Sequence, residues 1–262
     1  IKEKYKDSLN IVHKQFGELS FEEKTILNLH QTLLEHTEYS NRGAYKKQDN
    51  IIRERHPDGT SFVRWMPTSA KDTQFAMEQL ILAYMDAKCD SSINQLLLIP
   101  CVILDFLCIH PFDDGNGRMS RLLSLLLLYK NDFDVSKYIS FEEQINKSKV
   151  YYYEALKKSS FGWHENQNDY LPFIENFLMT LYLCYRELDK RFLTVKSGKT
   201  SKTKRVERVV LDSFVPISKK EIALLLTDVS ITTIEKVLSN MLKEEKIRKI
   251  GSTNNCKYFR NK

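Results

Sequence analysis

The sequence predicts a mainly helical protein with one β-hairpin in its first part, followed by a smaller unit of short helices and paired strands, on three observations. Long stretches of residues 1–190 place apolar residues at helical spacing, as in Ile26, Leu29, Leu33 and again in Phe173, Phe177, Leu181, Tyr185. Between Asn50 and Pro67, two β-prone runs flank Pro57-Asp58-Gly59, a turn sequence that predicts a hairpin over residues 51–66. After Arg205, three short helical patterns are followed by two strand-like runs.

The 262 residues, 42% hydrophobic and 28% charged, suffice for at least one full core and, at this length, for two. That composition excludes a disordered or collagen-like chain. The apolar stretches Leu96–Ile109 and Leu122–Tyr129 fall short of the roughly 20 residues of a membrane span and read as buried helices. Five scattered cysteines, odd in number and never two apart, fit a reducing compartment better than a disulfide framework or a zinc site. With no secretion signal after Ile1, the cytoplasm is the expected location and no membrane partner is expected. A start at Ile1 rather than Met suggests that the gene product begins upstream.

The net charge of +6 is unevenly distributed. Residues 191–262 carry 17 basic and 7 acidic side chains, so this end is at +10 and the rest at −4. The expected organisation is a first domain over 1–190, a polar basic linker over 191–204 and a second domain over 205–262. In the second, Arg205–Phe214 reads as a helix, Ser218 as the cap of another reaching Leu226, and Ser230 or Asp228 as the start of a third. The third helix places Ile231, Ile234, Leu238, Met241 and Leu242 on one face. Ile247–Ile250 and Lys257–Arg260 then flank Gly251–Asn255 as a two-stranded wing, and the whole resembles a winged helix-turn-helix domain. Its charge supports phosphate attraction, with Ser230, Thr232, Thr233, Lys236, Ser239 and Lys243 exposed on the recognition helix; Glu235 would face DNA unfavourably. DNA binding and a docking or dimerisation role, including a homo-oligomer, stay open.

The densest chemical signal is His110-Pro111-Phe112-Asp113-Asp114-Gly115-Asn116-Gly117-Arg118-Met119-Ser120-Arg121. An apolar helix ends at the histidine and another begins near Asn116. Gly115 and Gly117 let backbone amides approach a ligand closely, and the helix start adds unpaired N–H groups and partial positive charge. Arg118 and Arg121, three apart, can close on one polyphosphate. Asp114 is misplaced among phosphates unless it shares Mg²⁺ with them, so a nucleotide bound with Mg²⁺ is expected. His110 is then the nearby group able to take a proton near neutral pH. Packing alone requires none of these residues.

This segment resembles the signature of the Fic (filamentation induced by cAMP) family, His-x-Phe-x-Asp/Glu-Gly-Asn-Gly-Arg-x-x-Arg, at every specified position. The hairpin at 50–67 resembles the family's target-binding flap, and Phe161–Asn166 through Pro172-Phe173 resembles the segment that closes the fold in bacterial members. The resemblance covers about residues 25–185 and implies a Fic helical bundle, here followed by the winged helix. It also implies adenylylation, the transfer of AMP from ATP to a protein Ser, Thr or Tyr hydroxyl with release of pyrophosphate. On that resemblance His110 is the base, Asp114 holds Mg²⁺ and Phe112 anchors the loop. Gly115, Asn116 and Gly117 cradle the α- and β-phosphates, and Arg118 and Arg121 hold the β- and γ-phosphates. Tyr152 and Tyr153 stand where adenine-contacting aromatics are often found, although helical packing explains them equally well. Phe62, Val63, Arg64 and Trp65 are the flap's candidates for nucleotide and target contact, the target adding as a strand to the open edge.

Many relatives carry an inhibitory helix of pattern Ser/Thr-x-x-x-Glu-Gly/Asn, whose glutamate pairs with the second arginine of the signature. Glu165-Asn166 and Glu175-Asn176 are preceded four residues earlier by Phe161 and Leu171, so the pattern is absent from this sequence. Higher activity of this chain than of a longer one is the expectation that follows. Two alternatives to AMP transfer remain: a Fic-type transfer of another phosphate-containing group, and a nucleotide-sensing winged-helix regulator that binds DNA.

Overall fold

The computed structural model describes residues 2–35, 37–55, 59–196, 201–213, 216–251 and 256–261. It is mainly helical and divides into two compact units, residues 1–133 with 141–181, and residues 134–140 with 182–262.

The first unit is built around α4 (Gln95–Ile109) and α5 (Asn116–Lys130). Both are apolar on nearly all sides, and a helix of that kind is stable only when neighbours cover it all round. Ile99, Ile103, Leu104, Phe106, Leu122, Leu123 and Leu126 are buried accordingly. The covering elements are α1 (Lys2–Gln15), α2 (Glu23–Leu33), α3 (Ala70–Cys89), α6 (Phe141–Lys147) and α7 (Lys149–Ser160); the first turns of α8 (Leu171–Lys196) pack on α6 and α7 through Phe177 and Phe173. Pro100 lies inside α4, in its second turn, where its ring replaces the amide that would bond the Leu96 carbonyl. Asn94 caps that end by accepting from the Leu96 amide.

The predicted hairpin is present. β1 (Ile52–Arg55) and β2 (Ser61–Trp65) pair antiparallel, with an irregularity between Ile52 and Arg53. The Pro57-Asp58 part of the expected turn lies outside the described residues.

The second unit contains α9 (Lys202–Asp212), β3 (Ile217–Ser218), α10 (Lys219–Leu225), α11 (Ile231–Lys243), β4 (Ile247–Ile250) and β5 (Lys257–Arg260). The strands form one antiparallel sheet in the order β3-β5-β4. Sequence reasoning found β4 and β5 but not the two-residue β3, which is too short to show an alternation. The capping expectations hold. Ser218 and Glu221 form a reciprocal capping box, and Ser230 accepts from the Thr233 amide. Val206, Val210, Ile222, Leu226, Ile234, Leu238, Met241 and Tyr258 form the core.

Three details differ from expectation. On α11 the buried stripe is Ile234, Val237, Leu238, Met241; Ile231, in the first turn beyond that stripe, is exposed. α8 continues to Lys196, through residues read as linker from Arg191, because Cys184, Leu188 and Phe192 extend its apolar stripe. α9 begins at Lys202, with Ser201 as its cap, and residues 197–200 and 252–255, the latter the tip of the expected wing, lie outside the described residues. No helix among the described residues is long and apolar enough to cross a membrane.

Candidate active site

α4 stops at His110, whose backbone is left-handed at φ 52°, and α5 starts after Gly115 at φ 90°. The five intervening residues make a tight loop, and its tightness follows from how thoroughly it is bonded. The Asn116 side chain spans the loop, donating to the Phe112 carbonyl at 2.6 Å and accepting the Phe112 amide at 3.0 Å. Phe112 is fully buried and stacks on His30, ring centroids 3.7 Å apart and nearly parallel. His30 Nδ1 accepts from the Gly43 amide, so Nε2 carries the proton and donates to the Asp114 carbonyl at 3.0 Å. Burial holds the His30 pKa below its usual value, which keeps this arrangement neutral. A Cβ at Gly115 would sit 3.3 Å from Leu33 Cδ2 and close to the His30 ring, so glycine is required there by both backbone and space.

His110 Nδ1 lies 3.3 Å from the Leu107 carbonyl oxygen, which can only accept, so the ring hydrogen is on Nδ1 and Nε2 presents its lone pair. Burial lowers the His110 pKa to about 4, with the nearby Lys46 ammonium acting in the same direction. The ring is therefore a neutral base at physiological pH.

The structure brings His110, Asp114, Gly115, Asn116, Gly117, Arg118 and Arg121 together on one loop and helix start. Their roles are not equal. The Asn116 side chain is turned inward and leaves only its amide for a ligand. The amides of Asn116, Gly117 and Arg118 lack intrahelical partners, as at any helix start, the first α5 bond being Met119 N–H to the Gly115 carbonyl. Asp114 accepts from the Gly115 amide at 2.6 Å and from Arg118 at 2.8 Å while its carboxylate stays largely exposed. Arg121 is turned to Glu142 on α6 at 3.2 Å, with Tyr5 beside the pair, its hydroxyl pKa pushed up by burial and by Glu142. Glu142 lies outside the Ser/Thr-x-x-x-Glu-Gly/Asn pattern, and no local signal in the sequence marks it as a partner of Arg121.

The flap residues divide. Phe62 and Arg64, two apart on β2, both face α7: Lys157 Nζ stands 5.7 Å from the Phe62 ring, and Arg64 stands 5.8 Å from the Tyr153 ring while donating to the Tyr153 carbonyl. Arg53, Arg64, Lys149, Val150, Tyr153 and Lys157 contribute to an open groove there. Tyr152 is not part of it; its side chain is buried against Phe173 and Tyr153 near Ser120 and Arg121. Val63 is exposed on the hairpin. Trp65 is committed to holding the flap: its indole donates to the Cys108 carbonyl at 3.0 Å and stacks on His164, rings 4.9 Å apart. His164 in turn bonds the Met66 carbonyl at 2.8 Å, and neighbouring Trp163 donates to Asp105 of α4 at 2.7 Å, which Tyr170 also does. The flap's second strand is thus fastened two residues before His110.

Two further residues escaped sequence reasoning because they lie in a polar loop without periodicity. Asn50 donates to the Phe112 carbonyl, and Lys46, only 3% exposed, packs beneath the His110 loop.

The chain is similar in structure to a Fic family protein from Desulfovibrio desulfuricans G20, with a TM-score of 0.56 and 20% identity, over 97% of this chain and 74% of that one. It is also similar to a Fic domain containing signaling protein from Bacteroides thetaiotaomicron VPI-5482, with a TM-score of 0.54 and 19% identity, over 70% of this chain and 69% of that one. These likenesses define a Fic fold. Residues 20–128, a segment that contains helix α2, the flap and the His110–Arg121 loop, match the Fic/DOC family. No curated protein matches the sequence.

Proposed function

We propose that the protein is an adenylyltransferase that moves AMP from ATP to a Ser, Thr or Tyr hydroxyl of a protein, itself included, held along the flap at residues 51–66. The observation that carries this reading is the His110 tautomer: Nδ1–H is tied to the Leu107 carbonyl, so Nε2 is a neutral base, set at the head of a helix whose first amides are unbonded. Nε2 takes the proton of the target hydroxyl, whose oxygen attacks the α-phosphorus. The bond from that phosphorus to the bridging oxygen breaks, and pyrophosphate leaves. The amides of Asn116 and Gly117 face the phosphates, and Arg118 and Arg121 neutralise charge once they turn from Asp114 and Glu142.

Among the described residues no group of three or more His, Cys, Asp or Glu side chains forms a metal cage. The site fits Mg²⁺ in another way: the exposed Asp114 carboxylate offers oxygen beside the phosphate cradle, and Mg²⁺ readily completes its shell with phosphate oxygens and water. Bound there, it would supply charge neutralisation on the phosphates. The test is incubation with labelled ATP, Mg²⁺ and a bacterial lysate, comparing the protein with His110→Ala. AMP addition that disappears in the variant supports the reading; phosphate addition, another adduct or no label in either overturns it in favour of a different transfer or a nucleotide sensor.

For the second unit we read a winged helix that binds DNA. Glu235, expected to face DNA unfavourably, is paired with Lys219 at 2.7 Å, so its charge is offset locally, and this end carries a net +10. Affinity for duplex DNA that falls steeply with salt supports this; salt-insensitive self-association instead assigns the unit to docking.

A further inference from the structure

Lys46 is buried beneath the His110 loop, and its surroundings explain what it does there. Its ammonium donates to three acceptors: Asn50 Oδ1 at 2.9 Å, the His110 carbonyl at 3.0 Å and the Ile109 carbonyl at 3.2 Å. Its own backbone amide donates to the Pro111 carbonyl at 2.9 Å. One residue thus bonds three consecutive carbonyls, those of Ile109, His110 and Pro111. The first two terminate α4, where carbonyls lack intrahelical partners and the helix carries partial negative charge. The third follows a non-glycine residue in the left-handed region, a strained conformation that must be held by its surroundings.

We propose that Lys46 is a positioning residue for His110, fixing the left-handed turn that aims Nε2 of the ring into the site. Burial already keeps the ring neutral, and the adjacent Lys46 ammonium adds to that tendency. The proposal rests on His110 being the base of the proposed reaction, but its geometry stands apart from that chemistry. The groups acting on the ring are the Leu107 carbonyl of α4 and the Lys46 ammonium; Asp49 and Asp113 face Lys46 in turn. A lysine serves here because a compact ammonium donates in three directions at once.

Three variants of the full chain test this: Lys46→Met, which removes both donors and charge; Lys46→Gln, a milder change that keeps a donor without charge; and Lys46→Arg, which keeps the charge. The His110 ring is followed by NMR titration, assigned by comparison with His110→Asn, and AMP transfer is followed where it occurs. In Met and Gln variants the His110 titration is expected to move upward in pH, with kcat reduced on the order of tenfold or more and KM for ATP little changed. Lys46→Arg is expected to restore the titration at least in part. A folded Lys46→Gln protein whose His110 titrates as in the wild type overturns the proposal, as does equal loss in all three variants. The titration decides the matter even if no AMP transfer is found, so failure of the proposed activity and failure of this inference are separable.

Discussion

Lowering the pH from 7 toward 4 forces a proton onto His110, and the structure sets what that costs. The ring titrates near pH 4 in the folded protein and near 6.5 when unfolded. Between those values the unfolded chain binds a proton that the folded chain does not, so unfolding becomes progressively easier as pH falls through that window. The full difference corresponds to at most about 3 kcal/mol. His30 is also held below its normal pKa and titrates in the same direction, so the single-residue effect must be isolated by difference. His110→Asn serves, because asparagine tolerates the left-handed backbone better than most residues and does not titrate. Urea unfolding of both proteins at closely spaced pH values from 7 to 4.5 should show the wild type losing stability relative to the variant by about 2 kcal/mol. The companion kinetic result is an acid limb of transfer well below pH 6.5. A stability difference between the two proteins that stays constant within about 0.5 kcal/mol across the range would refute the assignment of a neutral, desolvated ring.

Other consequences are as direct. Glu142→Gln removes the carboxylate that holds Arg121 and should raise affinity for Mg-ATP roughly two- to fivefold by calorimetry, the size of a partly exposed ion pair; unchanged affinity would mean that Arg121 is not a phosphate ligand. Gly115→Ala meets a φ of 90° and crowds Leu33, and should cost about 1–2 kcal/mol in denaturant unfolding together with weaker nucleotide binding. His164→Ala removes both the stack on Trp65 and the bond at Met66, so amides of β2 should exchange faster by hydrogen–deuterium exchange while those of α5 do not; equal exchange would show that the flap is held by other means.

How much was legible in the sequence varied with the range of the interaction. The hairpin, the helix on either side of the His110 loop and the caps at Ser218 and Ser230 are short-range features, fixed by neighbouring residues and by spacing, and they appear where the sequence put them. The inward turn of Asn116 could not be read, since the same residue at a helix start serves equally as a ligand or as a brace. Tyr152 and Tyr153 illustrate the same limit: adjacent on one helix, they part because helical geometry turns one into the core and the other toward Arg64.

By itself, then, the sequence determined the mainly helical class, the chemistry concentrated in His110–Arg121 and the uneven charge, because each depends on residue type and local spacing. Only the tertiary structure decided that Lys46 and Asn50 brace the His110 loop, that Arg121 rests on Glu142, and that Trp65 fastens the flap to α4 through Cys108. Those contacts join residues about twenty to sixty positions apart in the chain, and no periodicity or propensity carries information over that distance; packing of the apolar α4 and α5 brings them together.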